Sequence, residues 1–519
     1  MARVPCFLVA SIGAVLPLGC GGSETGGGPA NGYAHDAGAA GALPAPTGPG
    51  DAADTSDAPP GSDPSAPPAC PLAAHTPSDW RLAAAGTQLR DALGRKVFLR
   101  GVNAGGRSKF APYVPFDYGT GQYASALGAY MDRAASWGID VIRVPFTWAA
   151  LEPTQGQDDS DWLSRYDQLL AAAWARGIYT IVDFHQDVYS EAFCGDGFPP
   201  WTLSDPPASH HDCPNWSAEY FVDSAVAAAF DAFWGAGSSV QTSYLSAWDV
   251  MVARYKDTPG VLGFEPINEP GWGTANEQTF AATTLTAFFS TMVARMQAAA
   301  PSSLVFVEPP GPDGGFLSTT LGRPTGGGVV FAPHFYPLSS DPTMVQSELM
   351  EWVDVSTMWN APLFIGEFGV PRDNTGALDF VTAHFAGFDA LGLSGSEWEY
   401  SVSADSWNSE TYGLVAADGG EYPIAQAVMR PFARAVDGDE IVQSFDPPTQ
   451  TFVDVHAGPR CHRGLAAGEA LSVGLLDDAR WRLRRRRLVA GAAALAARGW
   501  SPAGLASRRG KVSCLPLAR

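Results

Sequence analysis

Eight short apolar segments, separated by longer amphipathic segments, constrain the fold of this chain more than any other feature of its sequence. The apolar segments are predicted strands at residues 99–103, 141–145, 179–185, 261–268, 304–308, 329–334, 363–367 and 395–400. Helical periodicity marks residues 123–137, 162–176, 277–300 and 379–391 between them. Continuously apolar strands that alternate with helices form parallel sheets with both faces covered. The pattern therefore predicts an α/β fold, with a (β/α)8 TIM barrel over residues 79–434.

A doubly wound open sheet is the structural alternative to the barrel. Open sheets of that kind often carry a Gly-rich phosphate-binding turn directly after the first strand. The residues that follow the predicted strand at 99–103 do not contain such a turn. The barrel is therefore the favoured interpretation.

The first 78 residues differ in composition from the rest of the chain. Residues 1–20 combine Arg3, a short apolar run and Gly19-Cys20, as export signals do, and the run is shorter than the roughly 20 residues of a membrane span. It resembles a bacterial lipoprotein signal with Cys20 as the lipidated residue; an ordinary signal peptide cut nearby is the alternative. Residues 21–78 are rich in Ala, Gly, Pro and Ser, so we expect a disordered linker. These segments predict an exported protein, secreted or lipid-anchored at a bacterial cell surface.

The chain changes character again after residue 434. Residues 435–455 are similar to the first strands of a β-sandwich. Residues 456–519 form an atypical tail rich in Arg and Ala, with consecutive arginines at 484–487. A basic amphipathic helix is one interpretation of this tail. A frameshift in GC-rich DNA is the interpretation that we favour, and we assign no function to the arginines.

The net charge and the cysteines indicate which kinds of partner and which cellular compartment to expect. The formal charge of −22, from 32 Lys and Arg against 54 Asp and Glu, disfavours nucleic acid and anionic membranes. We expect a monomer with a glycan, lipid-headgroup or other small-molecule partner. Cys194 and Cys213 flank a loop rich in Pro, His and Asp. In an oxidising compartment we expect these two to form a disulfide, with two free thiols as the alternative.

Polar and aromatic residues end nearly all of the predicted strands. In a TIM barrel the C-terminal ends of the strands form one rim, and active sites lie at that rim. A purely structural barrel would not need so many charged and aromatic side chains there. The residues at or beside the predicted strand ends are Asn103, Arg143, His185, Asp187, Asn268, Glu269, Glu308, His334, Tyr336, Glu367 and Trp398.

Glu269 and Glu367 are the candidates for acid–base chemistry. Cleavage of a glycoside needs one carboxyl group that protonates the leaving oxygen and a second that attacks the sugar or activates water. Burial would raise the pKa of the acid, and Arg143 would keep the nucleophile ionised. A carboxylate pair can also bind a metal, but the His and Asp residues here lack close metal-ligand spacing. We therefore expect a glycosidase that uses no metal and no other cofactor.

Four motifs resemble glycoside hydrolase family 5, the cellulase-type family of retaining enzymes. They are Asn268-Glu269-Pro270, Gly366-Glu367-Phe368-Gly369, Ile142-Arg143-Val144-Pro145 and His334-Phe335-Tyr336-Pro337, and the resemblance covers residues 87–434. It implies a TIM barrel in which Glu269 is the acid/base and Glu367 the nucleophile. It also implies that Arg143 lies near the nucleophile and that His334 and Tyr336 belong to the substrate site.

Within that family the sequence is most similar to the endoglycoceramidases, which cut the β-glycosidic bond between a sugar or oligosaccharide and ceramide. The most specific motif is Asp183-Phe184-His185-Gln186-Asp187-Val188-Tyr189-Ser190. These enzymes carry a β-sandwich after the barrel, whereas here residues 445–454 begin like one and the chain then departs from the pattern. The resemblance implies that the sugar next to the scissile bond is bound by Lys109, His185, Asp187, Trp201, Asn268, Tyr336 and Trp398.

Three functions are compatible with these observations. The first is a retaining hydrolase of glycosylceramides, whose lipid would contact Phe116, Tyr118, Trp272 and residues 193–216. The second is a secreted endo-β-glucanase or related polysaccharide hydrolase, which would need an aromatic cleft open on both sides. The third is a non-catalytic glycan-binding surface lipoprotein, which the presence of both carboxylates disfavours. A retaining enzyme would place the two carboxyl groups about 5–5.5 Å apart, and an inverting enzyme near 9 Å.

Overall fold

The computed structural model describes residues 80–209, 212–314, 318–337, 340–436, 440–447, 451–457 and 513–516. The predicted export signal with Cys20, the predicted linker and most of the Arg/Ala-rich tail lie outside these residues. Within the described ranges, none of the helices has both the length and the apolar character that a membrane crossing requires.

A small antiparallel sheet precedes the barrel strands. Its strands are β1 (Ala83–Ala85), β2 (Gln88–Arg90) and β3 (Lys96–Val97). The turns contain Gly86 and Gly94, whose φ values of 61° and 80° are left-handed and suit glycine. Leu89 and Val97 pack in one cluster with Val141, which begins a barrel strand. This sheet therefore covers the end of the barrel that lies opposite the predicted active site.

Eight parallel strands form the main sheet of the described chain, which confirms the barrel prediction. The eight strands are β4 (Arg100–Asn103), β5 (Val141–Phe146), β6 (Tyr179–Phe184), β7 (Val261–Glu265), β8 (Leu304–Val307), β9 (Val329–Phe331), β11 (Phe364–Ile365) and β13 (Ser394–Glu397). Two further short strands, β10 (His334–Phe335) and β12 (Glu367–Phe368), follow β9 and β11 along the chain. Their spatial order is β11-β13-β4-β5-β6-β7-β8-β9. A parallel bridge between Phe331 and Leu363 joins the two edges, so the sheet is nearly closed.

The predicted sixth and seventh strands are each divided in two. Pro333 separates β9 from β10, because proline has no N–H to donate to a strand ladder. Gly366 separates β11 from β12, and its N–H donates to the Pro333 carbonyl at 3.0 Å. β10 and β12 form their own parallel pair, in which His334 lies opposite Glu367. This register places two predicted site residues side by side.

Helices surround the sheet. They are α1 (Tyr123–Ser136), α2 (Trp148–Leu151), α3 (Ser160–Trp174), α4 (Glu219–Val222), α5 (Ser224–Trp234), α6 (Ser239–Tyr255), α7 (Glu277–Phe280), α8 (Thr286–Ala299), α9 (Val345–Trp359) and α10 (Ala377–Leu391). A π-helical segment, Ala281–Leu285, connects α7 to α8 within the helix predicted at 277–300. The side chain of Asp159 caps α3 and that of Asn276 caps α7, as acidic and amide residues commonly do.

Strand residues alternate between the barrel interior and the helix layer. In β5, Val141 belongs to the interior apolar cluster, whereas Ile142 and Val144 pack in the cluster that includes the helices. Arg143 has the same parity as Val141 and therefore points inward, toward the C-terminal end of the barrel. This alternation explains how one strand supplies both core packing and a site residue.

Short strands follow the barrel. β14 (Ala435–Val436) pairs with β3, and β15 (Glu440–Asp446), β16 (Thr451–Ala457) and β17 (Ser513–Pro516) form an antiparallel sheet. A hairpin thus occupies the segment that was expected to begin a β-sandwich. The sandwich itself stays a prediction.

A buried ion-pair network joins the first barrel strand to the last helix and to the segment after it. Arg100 of β4 lies 3.2 Å from the Asp389 carboxylate of α10, and Arg430 pairs with the other oxygen of the same carboxylate. All three residues are buried. Removing the partner of a buried charge is strongly destabilising, because the remaining charge has neither water nor a counter-ion.

We expect Asp389→Ala to lower the free energy of unfolding by about 3–5 kcal/mol, since it leaves two buried arginines unpaired. Urea unfolding followed by circular dichroism measures the loss. The matched control is Asp249→Ala, because Asp249 pairs with Arg295 at the surface, where the side chains are 55% and 40% exposed. That change should cost less than about 1 kcal/mol. Equal losses in the two variants would contradict a structural role for the Asp389 network.

Candidate active site

The buried guanidinium of Arg143 lies at the centre of the barrel rim. Its Nε donates to Glu265 Oε2 at 2.8 Å, and its Nη1 donates to Glu367 Oε1 at 2.6 Å. Its Nη2 donates to Asn268 Oδ1 at 2.9 Å and lies 3.1 Å from Asp183 Oδ2. Burial disfavours the charged form of Arg143, but Asp183 and Glu265 nevertheless hold its pKa above the usual value. One cation therefore fixes the side chains from several strand ends.

Glu269 and Glu367 lie next to each other at this rim. An oxygen of each carboxylate and a ring nitrogen of His334 all lie within 4.8 Å of one another. The Tyr336 hydroxyl donates to Glu367 Oε2 at 2.9 Å, and His334 Nδ1 lies 2.9 Å from Glu269 Oε1. Oxygens of the two carboxylates thus approach each other more closely than the roughly 6.5–9.5 Å that separates the carboxyl groups of inverting glycosidases.

The backbone at Glu269 adopts a conformation that non-glycine residues rarely use. Its φ is 37°, in the left-handed region. The Glu269 N–H donates to Glu308 Oε1 at 3.0 Å, and its carbonyl accepts from Gln186 Nε2 at 2.9 Å. Strained backbone of this kind persists only where surrounding contacts hold it, and it is concentrated at functional sites. Glu308 and Gln186 thus fix the direction of the Glu269 side chain.

The pKa values of the two carboxyl groups shift in opposite directions. Burial raises the pKa of Glu269, and His334 only partly opposes this shift. Burial would also raise the pKa of Glu367, but the positive charges of His334 and Arg143 lower it below the usual value. At a pH between the two pKa values, Glu269 keeps its proton while Glu367 is ionised. The pair can therefore supply one acid and one nucleophile or base.

His334 connects the acidic groups of the site. Its Nε2 lies 2.9 Å from Glu308 Oε2, and its Nδ1 lies 3.6 Å from Glu367 Oε2. Burial disfavours its charged form, but Glu308 and Glu367 raise its pKa well above the usual value. The sequence placed Glu308 at a strand end without a role and assigned none to Glu265. Both prove to be buried partners of the site's cations.

A second polar group lies on another side of the same cavity. Lys109 Nζ donates to Asp187 Oδ2 at 2.6 Å, and His185 Nδ1 lies 2.8 Å from Asp183 Oδ2. The Trp398 ring stacks on His185, with ring centres 5.3 Å apart. Burial opposes ionisation of Asp187, but Lys109 lowers its pKa below the usual range. A cation, an anion and an aromatic face in one cavity suit the hydroxyls and the apolar face of a sugar.

Most of the predicted site residues come together in one cavity, while Trp201 does not. Arg143 and His334 lie behind the cavity and contact its carboxylates, and Asn268 accepts a hydrogen bond from Arg143. Trp201 packs edge-on against Trp148 at 4.9 Å and donates to the Glu152 carbonyl at 2.9 Å. The position of Trp201 gives no support to its expected role in sugar binding. The predicted residues that line the cavity are Lys109, His185, Asp187, Glu269, Tyr336, Glu367 and Trp398.

Trp216, Glu410 and Tyr412 also line the cavity. Trp216 ends the 193–216 segment that the sequence associated with the lipid. Glu410 and Tyr412 follow the eighth strand in a stretch without a recognisable motif, so no local signal identifies them. Phe116, expected at a lipid wall, is instead only 2% exposed and packs in the core, which leaves no surface for a lipid.

A disulfide supports the loops above the cavity. Cys194 and Cys213, 19 residues apart, are joined by an S–S bond of 2.05 Å, in agreement with the pairing that the sequence indicates. Asn408 lies between the two halves of this loop. Its Nδ2 donates to the Cys194 carbonyl at 2.6 Å, and its Oδ1 accepts from the Cys213 N–H at 2.9 Å.

Three groups of residues in the described chain have ligand atoms close enough to hold a metal. They are His185 with Asp187 and Asp196, Glu265 with Glu308 and His334, and Glu269 with His334 and Glu367. Each group contains a carboxylate that is paired with Lys109 or Arg143. These positive charges oppose a metal cation. Glycoside cleavage by two carboxyl groups also needs no metal.

Comparison with known proteins decides the family. The model of the family described as Cellulase (glycosyl hydrolase family 5) matches residues 95–402. The chain belongs to glycosyl hydrolase family 5. The resemblance inferred from the sequence motifs is thereby confirmed, and the membership places the protein among glycosidases.

Individual relatives of this family 5 protein carry names that refer to glycosylceramides. Endoglycoceramidase I of Rhodococcus hoagii (strain 103S) is 29% identical over 315 residues, which are 56% of this chain and 62% of that protein. The chain therefore covers less than two thirds of that relative's length. Endo-glycoceramidase II from Rhodococcus sp., solved as a lactosyl-enzyme intermediate, has a TM-score of 0.61 at 23% identity, over 72% of this chain and 87% of that one. The crystal structure of an endogalactoceramidase has a TM-score of 0.59 at 23% identity, over 73% and 92%. Both structures share the fold.

We expect hydrolysis of phenyl β-glucoside, whose leaving group needs a proton, to show a bell-shaped pH dependence of kcat/KM. The acidic limb reports Glu367 and should lie below the usual carboxyl pKa of about 4.3, and the basic limb reports Glu269 and should lie above it. Glu269→Gln should lower the rate about 10²–10⁴-fold and abolish the basic limb, since the amide has no proton to lose. Asp249→Asn is the surface control and should leave both limbs in place. A basic limb that survives in Glu269→Gln would show that another group is the acid.

Proposed function

We propose that this protein is a retaining β-glycosidase that releases the sugar from a glycosylceramide. The observation that carries the chemistry is the Glu269–Glu367 pair, with carboxylate oxygens within 4.8 Å and pKa values displaced in opposite directions. The names of the relatives support the glycolipid substrate. The lactosyl-enzyme intermediate of the Rhodococcus sp. protein supports a covalent route, which is the retaining one.

Two displacements at the anomeric carbon make up the proposed reaction. In the first, Glu367 attacks this carbon, the glycosidic C–O bond breaks, and the Glu269 proton moves to the departing ceramide oxygen. In the second, Glu269, now ionised, takes a proton from water, and the water oxygen displaces Glu367 from the sugar. Tyr336 and Arg143 hold Glu367 for attack, through hydrogen bonds of 2.9 Å and 2.6 Å. The released sugar keeps the β configuration.

An apolar surface on the Glu269 side supports a lipid as the leaving group. Trp272, three residues after Glu269, stacks on Tyr220 at 5.8 Å and contacts Phe221 at 5.1 Å. Phe221 and Val222 are 47% and 70% exposed. The Tyr220 hydroxyl donates to the Glu269 carbonyl at 3.3 Å, so this surface adjoins the proton donor. A ceramide whose oxygen receives the Glu269 proton would extend over it.

The endo-β-glucanase alternative fits the structure less well. A polysaccharide chain continues on both sides of the scissile bond, so it needs an open cleft with sugar-binding aromatics at both ends. Here the side beyond Lys109 consists of packed, buried tryptophans. The non-catalytic alternative requires loss of a carboxylate, and both Glu269 and Glu367 are present at the rim.

We expect the wild type to release fluorescent-acyl ceramide from glucosylceramide and to leave cello-oligosaccharides uncut. Glu367→Gln should lower ceramide release about 10³-fold or more, because the amide cannot attack the sugar. Chromatography of the fluorescent lipid measures the release, and ¹H NMR of the fresh product should show the β-anomer first. Asp249→Asn again serves as the control and should retain wild-type activity. Cleavage of the oligosaccharide without release of ceramide would move the protein to the glucanase function.

We further propose that the protein is exported and anchored through a lipid on Cys20, as a monomer. Support comes from the order of Arg3, the apolar run and Gly19-Cys20 in residues 1–20. Metabolic labelling with radioactive palmitate in a bacterial host should mark the wild type, and Cys20→Ser should abolish the label and move the protein to the soluble exported fraction. A wild-type protein without label would favour an ordinary signal peptide.

A further inference from the structure

The side of the cavity around Lys109 is closed by three tryptophans. Lys109 Nζ lies 3.8 Å from the ring centre of Trp407, 4.5 Å from that of Trp398 and 5.5 Å from that of Trp216. Trp216 and Trp407 pack edge-to-face, with ring centres 4.9 Å apart. Trp407 is 0% exposed, Trp216 5% and Lys109 2%. In the described residues this side of the cavity therefore ends in packed side chains and does not continue as a groove.

Several contacts hold this wall in place. Asn408, next to Trp407, is 2% exposed and hydrogen-bonds the backbone on both sides of the Cys194–Cys213 disulfide. Asn408 and Ser409 have φ values of 49° and 61°, a left-handed pair that turns the chain sharply. A disulfide-bonded loop and a turn that are hydrogen-bonded to each other form a rigid barrier rather than a mobile lid.

Glu410 follows this turn, and its carboxylate faces the cavity. It lies close enough to Lys109 and Trp398 for both to favour its charge. Its Oε2 is buried, and no hydrogen-bond donor in the described residues reaches it. Burial raises the pKa of Glu410 to about 7. A buried acceptor without a donor is costly, so a ligand hydroxyl at this position would be bound favourably.

The orientation of a bound sugar follows from the catalytic pair. The anomeric carbon must lie at Glu367, so the hydroxyls on the opposite side of the pyranose ring point away from Glu269 and Glu367. Lys109, Asp187 and Glu410 lie on the remaining polar side of the cavity and face those hydroxyls. A second sugar attached there would occupy the space that Trp216 and Trp407 fill.

We propose that this wall restricts the headgroup to a single hexose and that Glu410 accepts a hydrogen bond from a hydroxyl remote from the scissile bond. The proposal rests on the proposed glycosidase function and adds its substrate class: monohexosylceramides rather than ceramides with longer glycans. It makes Glu410 a specificity-determining residue, with Trp216 and Trp407 as the steric limit.

The test compares two pairs of substrates that differ only by the second sugar. One pair is fluorescent-acyl glucosylceramide and lactosylceramide, and the other is 4-nitrophenyl β-glucoside and β-lactoside. We expect kcat/KM for the single hexose to exceed that for the disaccharide about 100-fold or more in both pairs. Equal values within either pair would overturn the proposal. If only the aryl glucoside is cleaved, the lipid function fails and the headgroup limit stands.

Variants of Glu410 separate its hydrogen bond from its size. Glu410→Ala should lower kcat/KM for the glucoside about 10–100-fold, the loss expected for a hydrogen bond to a charged group, and raise the lactoside-to-glucoside ratio at least about tenfold. Glu410→Gln keeps the volume and should lower activity without raising that ratio. Asp405→Ala, an exposed residue of the same loop, is the control and should change neither value.

The expected results do not depend on a single variant. Thermal unfolding of each variant shows whether it is folded, and if Glu410→Ala is not, Glu410→Gln and the wild-type substrate pairs decide. Calorimetric binding of glucose and of lactose to Glu367→Gln tests the headgroup without turnover. Lactose binding as tight as glucose binding, or a Glu410→Gln variant with unchanged glucoside kinetics, would overturn the proposal.

Discussion

The buried charge of Arg143 is the interaction on which the rest of the site depends. A guanidinium that is fully removed from water is stable only when anions and hydrogen-bond acceptors surround it. Those acceptors come from three strand ends: Asp183 from β6, Glu265 and Asn268 from the end of β7, and Glu367 from β12. The barrel must therefore bring these strands into register around one cation. Together with the Tyr336 hydroxyl, these contacts fix the orientation of the Glu367 carboxylate.

An excess of buried acid over buried base explains how the site holds a proton. Around His334 the carboxyl groups of Glu269, Glu308 and Glu367 compete for one imidazole, while Arg143 neutralises part of the charge. Like charges in a low-dielectric site cannot all ionise, so some of these buried carboxyl groups keep a proton. Glu367 has both cations beside it and ionises first. Glu269 has only His334 and keeps its proton longer.

The two sides of the cavity differ in chemistry, and this difference gives the substrate a direction. On the Glu269 side, Trp272 and Phe221 lead to exposed apolar surface that suits a lipid. On the Lys109 side, Trp216 and Trp407 form a wall behind a lysine and two acids that suit sugar hydroxyls. A glycolipid changes in the same way along its length, from an apolar ceramide to a polar sugar. Its orientation would follow from burial of the apolar part and hydrogen bonding of the polar part.

The sequence by itself determined the barrel and most residues of the catalytic rim, because both follow from the succession of apolar and polar residues along the chain. Apolar runs at strand spacing fix the sheet, and a residue such as Glu269 or Glu367 at the end of a run must reach the rim in any barrel of this kind. The position of Trp201, the core location of Phe116 and the wall made by Trp216 and Trp407 were decided only by tertiary structure. These residues lie in loops, where no periodic pattern in the sequence indicates which way a side chain points. Their neighbours also come from segments far apart in the chain, as the hydrogen bonds of Asn408 to Cys194 and Cys213 show. Tertiary structure also decided which of the two catalytic carboxyl groups has the higher pKa, because this depends on their distances to His334 and Arg143, which only the folded chain sets.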